Sequence, residues 1–231
     1  MPDTKVQPIE RPRLVTSAAG ARALVPALDR AMQILALLEA SPRRSYTVAE
    51  ITRVLGIPKS SAFNICNALC EGQLLRRARD GFQLGRALVQ LGSAYVSSVN
   101  VVGEFYDACR SAPPELGAVI QLAVIDEQFD TVYLALQDCN SGLRLGLGGG
   151  IGRRVPANCT ACGKALLAML PAAELERRLA SIGQLPKMTP RSIVSKARLL
   201  QEIAEIRSSG FAYDNEETIA GLSCVAVAMP T

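Results

Sequence analysis

The chain has 231 residues, 49% of them hydrophobic and 20% charged, with a net charge of +4; this composition can build a core in one large or two modest domains. No apolar run approaches the ~20 residues of a membrane span, and residues 1–23 lack the apolar centre of a secretory signal, so the sequence predicts a flexible tail over 1–23 on a cytoplasmic protein. The absence of histidine excludes Ser-His-Asp and Cys-His nucleophiles and removes the commonest metal ligand; no catalytic group, metal or cofactor is expected.

The charge is unevenly spread. Residues 22–98 carry ten basic and five acidic side chains, whereas residues 99–231 carry twelve basic and fourteen acidic ones. A basic surplus confined to the first hundred residues is the electrostatic footprint of a polyanion such as DNA.

Helical spacing runs over 27–40, with Leu28, Ala31, Met32, Leu35 and Leu38 predicted on the inner face. A second helix opens on a capping box, Thr47 with Glu50 three residues on, and stops at Gly56. A third begins at Pro58, a residue suited to the first helical position. Its apolar stripe is Ala62, Ile65, Cys66 and Leu69. Two short helices about a glycine turn make a helix-turn-helix, whose second helix enters the major groove. Lys59, Ser60, Ser61, Phe63, Asn64 and Asn67 are then the candidate DNA-reading residues. Ser60 and Ser61 permit close approach, and Asn64 can pair with adenine at two points. Arg76, Arg77 and Arg79 lie on a hairpin with Asp80-Gly81 at its turn, which reads as a wing touching phosphate or the minor groove.

Residues 86–100 read as a linking helix with Leu88, Leu91 and Tyr95 on one face, and helix resumes over 105–111 until Pro113-Pro114. Strands are predicted over 118–125 and 131–136, with a third at 143–145. The glycine-rich run 146–152 matches neither the G-x-G-x-x-G nor the Walker pattern, so it reads as a loop and not a phosphate cradle. A helix over 161–169 has small residues in its first turn, Ala161, Cys162 and Gly163, and Asn158 or Thr160 as its cap. Its exposed N–H groups and dipole favour an anion there. An amphipathic helix follows over 196–209, capped by Gly210, and then a buried strand over 221–228. The second half thus alternates helices and strands as an α+β domain.

Two features admit other chemistry. Cys159-x-x-Cys162 has the spacing of a redox pair, and a thiolate at a helix N-terminus has a lowered pKa. Lys164 beside Thr160 or Cys162 is the one imaginable nucleophile pair of an enzyme. Against both stands the plainer reading of small buried side chains.

The run 26–35, the run 49–61 and Gly81-Phe82-Gln83-Leu84-Gly85 together resemble the IclR family of regulators, as do 152–156, 161–168 and 210–228. At position 64 the family usually has arginine, and after Pro156 it often has Leu-His where this chain has Ala157-Asn158. The resemblance implies a winged helix-turn-helix over 24–85, a linker helix over 86–100 and a GAF-like effector domain over 101–231. It implies a transcriptional regulator that binds an operator and senses a small molecule. It also implies a pocket lined by Ala161, Cys162, Asp214 and Cys224, with Gly163 beside them. A homodimer or tetramer is expected because one helix-turn-helix rarely gives enough affinity, and the anion-favouring helix end with Asp214 opposite points to a small organic acid that also carries a hydroxyl. Relatives continue with another strand and helix, so either this sequence is a piece of a longer one or that pocket wall is missing.

Overall fold

The computed structural model describes residues 24–113, 116–139 and 150–229. The expected tail over 1–23 and the third strand at 143–145 lie outside the described residues. The chain forms two compact units that divide between Tyr95 and Val96.

The first unit holds helices α1 (Pro26–Glu39), α2 (Val48–Leu55) and α3 (Lys59–Glu71), then strands β1 (Leu75–Ala78) and β2 (Gly81–Leu84). One apolar cluster unites them: Ile34, Leu37 and Leu38 from α1, Ile51 from α2, Ala62, Cys66 and Leu69 from α3, with Tyr46, Ile57, Leu75 and Phe82. The inner face of α1 is in part the expected one: Leu38 is buried, and Ala31 and Leu35 pack against the cluster. Ile34, Leu37 and Leu38 are buried, whereas Leu28 and Met32 are exposed, because the helix meets its partners through its C-terminal half. The α2 capping box is complete, with the Thr47 hydroxyl accepting from the Glu50 N–H and the Glu50 carboxylate accepting from the Thr47 N–H. Gly56 closes α2 with φ of 67°. Pro58 stands one residue before α3, as its N-cap. The hairpin turn is Arg79-Asp80, since Ala78 pairs with Gly81. Gly81 is needed for another reason: a Cβ there would lie 2.4 Å from the Tyr46 carbonyl oxygen, where Tyr46 bridges to Phe82.

Helix α4 (Ala87–Ser98) has no buried residue. The expected linker helix ends there, because Val99 is extended and caps α5 (Asn100–Cys109). That break lets Val96, Val99, Val102 and Phe105 pack with Leu134 and Ala135 of the sheet.

The second unit is built on β3 (Ala118–Ile125), β4 (Asp130–Cys139) and β5 (Arg154–Pro156), antiparallel in the order β3-β4-β5. A bulge at Leu134 shifts the β3–β4 register, which pairs Leu122 with Ala135 and Ala123 with Tyr133. A 3-10 turn, Ala157–Cys159, leads into α6 (Ala161–Met169); α7 (Ala172–Ser181) and α8 (Lys196–Ser209) follow. The main core joins Phe129, Ala157 and Leu167 to Leu175, Leu179, Leu199 and Ile203. The ribbon of β6 (Ala212–Asn215) and β7 (Ser223–Ala226) follows. The expected buried strand over 221–228 is corrected here. Only Ser223–Ala226 is strand, and Val225 and Val227 are exposed, because β7 pairs with one neighbour and turns alternate residues outward.

The Glu50 carboxyl is held below its ordinary value, first by the Thr47 backbone N–H, then by Arg44 and the Thr47 hydroxyl. A depressed acid adds stability that is present above its unfolded value and lost as pH falls through the folded one. Thr47→Ala should therefore cost about 1 kcal/mol at neutral pH. In urea titrations the gap between the native chain and Glu50→Ala should close below pH ~4. A gap constant from pH 7 to pH 3 would show that the carboxylate charge contributes nothing.

Candidate functional site

Two constellations emerge, one in each unit. In the first, α3 lays Ala62, Cys66 and Leu69 into the core, which leaves Lys59, Ser60, Phe63 and Asn64 on the exposed side of its first turns. Phe63 stays 48% exposed on the same side. Ser61 is half-buried and its hydroxyl accepts from Arg30 of α1 at 3.4 Å. Two residues of the candidate set are bonded to each other: the Arg77 guanidinium donates to Asn67 Oδ1 at 2.6 Å. The same guanidinium lies over the Phe82 ring, 5.5 Å from its centroid. Arg77 thus ties the hairpin to α3, although it is exposed, as Arg76 and Arg79 are. Sequence spacing could not reveal this tie, which spans ten residues and two element types.

In the second unit, α6 starts behind Thr160, whose hydroxyl accepts from the Gly163 N–H at 2.8 Å and meets the Thr131 hydroxyl at 3.0 Å. Thr160 is therefore the cap. Asn158 instead uses its amide to tie down the segment before α8, donating to the carbonyls of Pro186 and Ile193 at 2.9 Å each. Gly163 faces inward, and a Cβ on it would lie 2.4 Å from the Ala157 backbone. Its smallness serves packing of the helix on the 3-10 turn, and Ala161 is likewise buried.

Cys162, Asp214 and Cys224 do come together. Asp214 pairs with Cys224 across β6–β7, and Ala212 with Ala226. Ala165 of α6 packs with Ala212 and Ala226. Cys162, one turn earlier on the same stripe, reaches the next strand pair along, Asp214 with Cys224. Tyr133 of β4 joins them: Cys162, Cys224 and Asp214 all act on its phenol, whose pKa burial and these neighbours raise, while Arg153 pulls it back. The sequence signal for Tyr133 was available in strand alternation, which sets it on the face that carries Thr131.

The thiols behave unlike the sequence expectation. Burial pushes the Cys162 thiol up to about 11, with Cys224 and Asp214 adding to the rise. Desolvation outweighs the helix end, which is the physical reason the expected lowering fails. The C-x-x-C spacing does not make a pair either. Cys159 is buried against the Pro186 carbonyl, and the thiol acting on Cys162 is that of Cys224.

Asp214 has an internal role too, accepting from the Glu217 N–H at 2.7 Å and the Thr218 hydroxyl at 3.0 Å. Lys164 is wholly buried and its ammonium binds Glu202 and Glu217, the latter at 2.7 Å. It is a structural cation, and Thr160 is spent on the cap, so no nucleophile pair is assembled. Among the described residues no group of three or more potential ligands could hold a metal, and no helix is long and apolar enough to cross a membrane.

Comparison with known proteins follows this division. The helix-turn-helix domain model of IclR matches residues 27–79, and the model of the bacterial transcriptional regulator IclR C-terminal domain matches residues 93–229. The HTH-type transcriptional regulator TtgV of Pseudomonas putida is 34% identical over 210 residues, covering 90% of this chain and 77% of the relative. The crystal structure of an IclR transcriptional regulator from Alicyclobacillus acidocaldarius superposes with a TM-score of 0.75 at 23% identity, covering 89% of this chain and 82% of that one. An IclR homologue from Microbacterium hydrocarbonoxydans, solved with 4-hydroxybenzoate, gives 0.68 at 20% identity over 89% and 83%.

If burial governs Cys162, its alkylation by iodoacetamide, read by peptide mass spectrometry, should rise about tenfold per pH unit from pH 7 to 10 without levelling off. A plateau near pH 8.5 would contradict a desolvated thiol.

Proposed function

The chain belongs to the IclR family of bacterial transcriptional regulators, and on that premise we propose that residues 24–85 read an operator through α3 and the β1–β2 wing while a small hydroxylated organic acid, bound beside Cys162, changes the affinity for that DNA. The observation that carries the DNA half is the exposed side of the first two turns of α3, Lys59, Ser60, Phe63 and Asn64, in the same unit as the exposed arginines of the wing. Ser60 and Asn64 face base edges, and Lys59, Arg76 and Arg79 face phosphates. Asn67 and Arg77 act together, holding the wing at a set distance from α3.

The effector half is supported by the meeting of Cys162, Tyr133, Asp214 and Cys224 on the first turn of α6. The carboxylate of the acid is drawn by the helix end and by Arg153. Its hydroxyl donates to Asp214, which has lone pairs beyond those used by Glu217 and Thr218. The relative solved with 4-hydroxybenzoate binds a molecule of this class.

A homodimer or pair of dimers is proposed from α4. It buries none of its residues, yet Val89, Leu91 and Tyr95 are 74%, 62% and 55% exposed. Such a helix suits pairing with a second copy, and two half-sites supply the affinity that one helix-turn-helix lacks.

Equilibrium binding to operator DNA over a salt series tests the interface. Arg76→Ala and Arg79→Ala should each flatten the slope of log K against log salt by about 0.9. Arg77→Ala should change the slope less but weaken preference for the operator over random DNA. Asn64→Ala should relax choice at one base pair, by about 1–3 kcal/mol. An unchanged slope in the Arg76/Arg79 double variant would overturn the wing contact.

A further inference from the structure

Two further cysteines converge at the opposite end of the sheet from Cys162. On β3 and β4 the pairs Val124–Val132, Leu122–Ala135, Ile120–Gln137 and Ala118–Cys139 are directly opposed. Opposed residues in an antiparallel pair share a face. Leu122, Val124 and Val132 lie in the cluster formed with α5, so the face is the one that α5 covers, and Cys139 is its last member. Helix α5 runs the same way along that face. Val102 packs with Leu134 and Ala135, and seven residues of helix, about 10 Å, bring Cys109 to the end of α5. Four residues of strand, about 13 Å, bring Cys139 to the end of β4. Both thiols therefore lie at the same end of that face.

Two independent observations agree. Cys109 and Ile120 line one cavity of about 370 Å³ with Val101, Glu104, Phe105 and Ala108, which places Cys109 over the β3 residue next along the face from Ala118. Burial, and after it the nearby Cys139, raise the pKa of the Cys109 thiol. Both are free thiols and neither is fully buried, which separates them from Cys66 and Cys159.

We propose that Cys109 and Cys139 are an oxidisable thiol pair, which a peroxide or a small-molecule disulfide converts into an intramolecular disulfide joining α5 to β4. With hydrogen peroxide, one thiol becomes a sulfenic acid and one water leaves. The second thiol then displaces the hydroxyl, the S–S bond forms and a second water leaves. Two electrons pass from the sulfurs to the peroxide. With oxidised glutathione, Cys109 first forms a mixed disulfide and releases one glutathione, and Cys139 releases the other. The bridge closes a wall of the cavity and staples the end of α5. It is independent of the effector site, which lies on the other face of the sheet.

The test treats the whole purified chain with oxidised glutathione or hydrogen peroxide at neutral pH, alkylates the remaining thiols and maps peptides without reduction. The expected product is a Cys109–Cys139 cross-linked peptide lacking two hydrogens, from monomeric chains, lost on adding dithiothreitol. In Cys139→Ser, Cys109 should retain a single glutathione that the native chain does not accumulate. The native-chain result decides the matter alone. Separate alkylation or separate glutathione adducts at the two cysteines, a bridge between two chains, or a different intramolecular pair would each overturn the proposal.

Discussion

Lys164 is entirely buried, and its ammonium is shared by Glu202 of α8 and Glu217 beyond β6. An ammonium stripped of water costs several kcal/mol unless its partners meet it in good geometry. Two segments far along the chain, α8 and the turn after β6, must therefore close on α6 together. From Glu217 the constraint passes outward. Its backbone N–H holds Asp214, and Thr218 links Asp214 to the Cys159 carbonyl. The place where Asp214 and Cys224 stand against Cys162 thus follows from a cation pinned inside the domain. The arrangement is under electrostatic tension. Two carboxylates share one lysine, and burial raises the Glu217 carboxyl while Lys164 pulls it back. Glu217 also keeps one oxygen without a partner.

The DNA-binding unit solves a different problem. Its small core is assembled from short helices, and their outward faces must stay free for DNA. Positioning is therefore delegated to polar ties at the margin: the Thr47–Glu50 box, Arg30 on Ser61, and Arg77 between Asn67 and Phe82. The last of these makes the wing and the recognition helix one surface.

Much of this was legible in the residues. The capping box, the Gly56 and Gly210 stops and the α8 boundaries are local signals, and each is found where spacing places it. The signals that failed depend on tertiary packing. Leu28 and Met32 fit a helical stripe, but nothing local says which part of α1 meets a partner. Val99 breaks the linker helix because the sheet claims its side chain. Gly163 read as room for a ligand and is room for Ala157. Cys159 and Cys162 are neighbours in sequence, yet the thiol that faces Cys162 arrives from residue 224. Lys164 gave no local sign that it would be buried, since its partners lie 38 and 53 residues away.

On the proposed function, a ligand in the second unit changes DNA binding by the first. Coupling of this kind is reciprocal: each partner alters the affinity for the other by the same factor. The direct measurement is operator affinity by fluorescence anisotropy, with and without saturating 4-hydroxybenzoate or a related hydroxy acid, paired with calorimetric ligand affinity with and without operator. Both affinities should change in the same direction and by the same factor, about fivefold or more. Operator affinity that stays constant while calorimetry shows the ligand sites filled would contradict it.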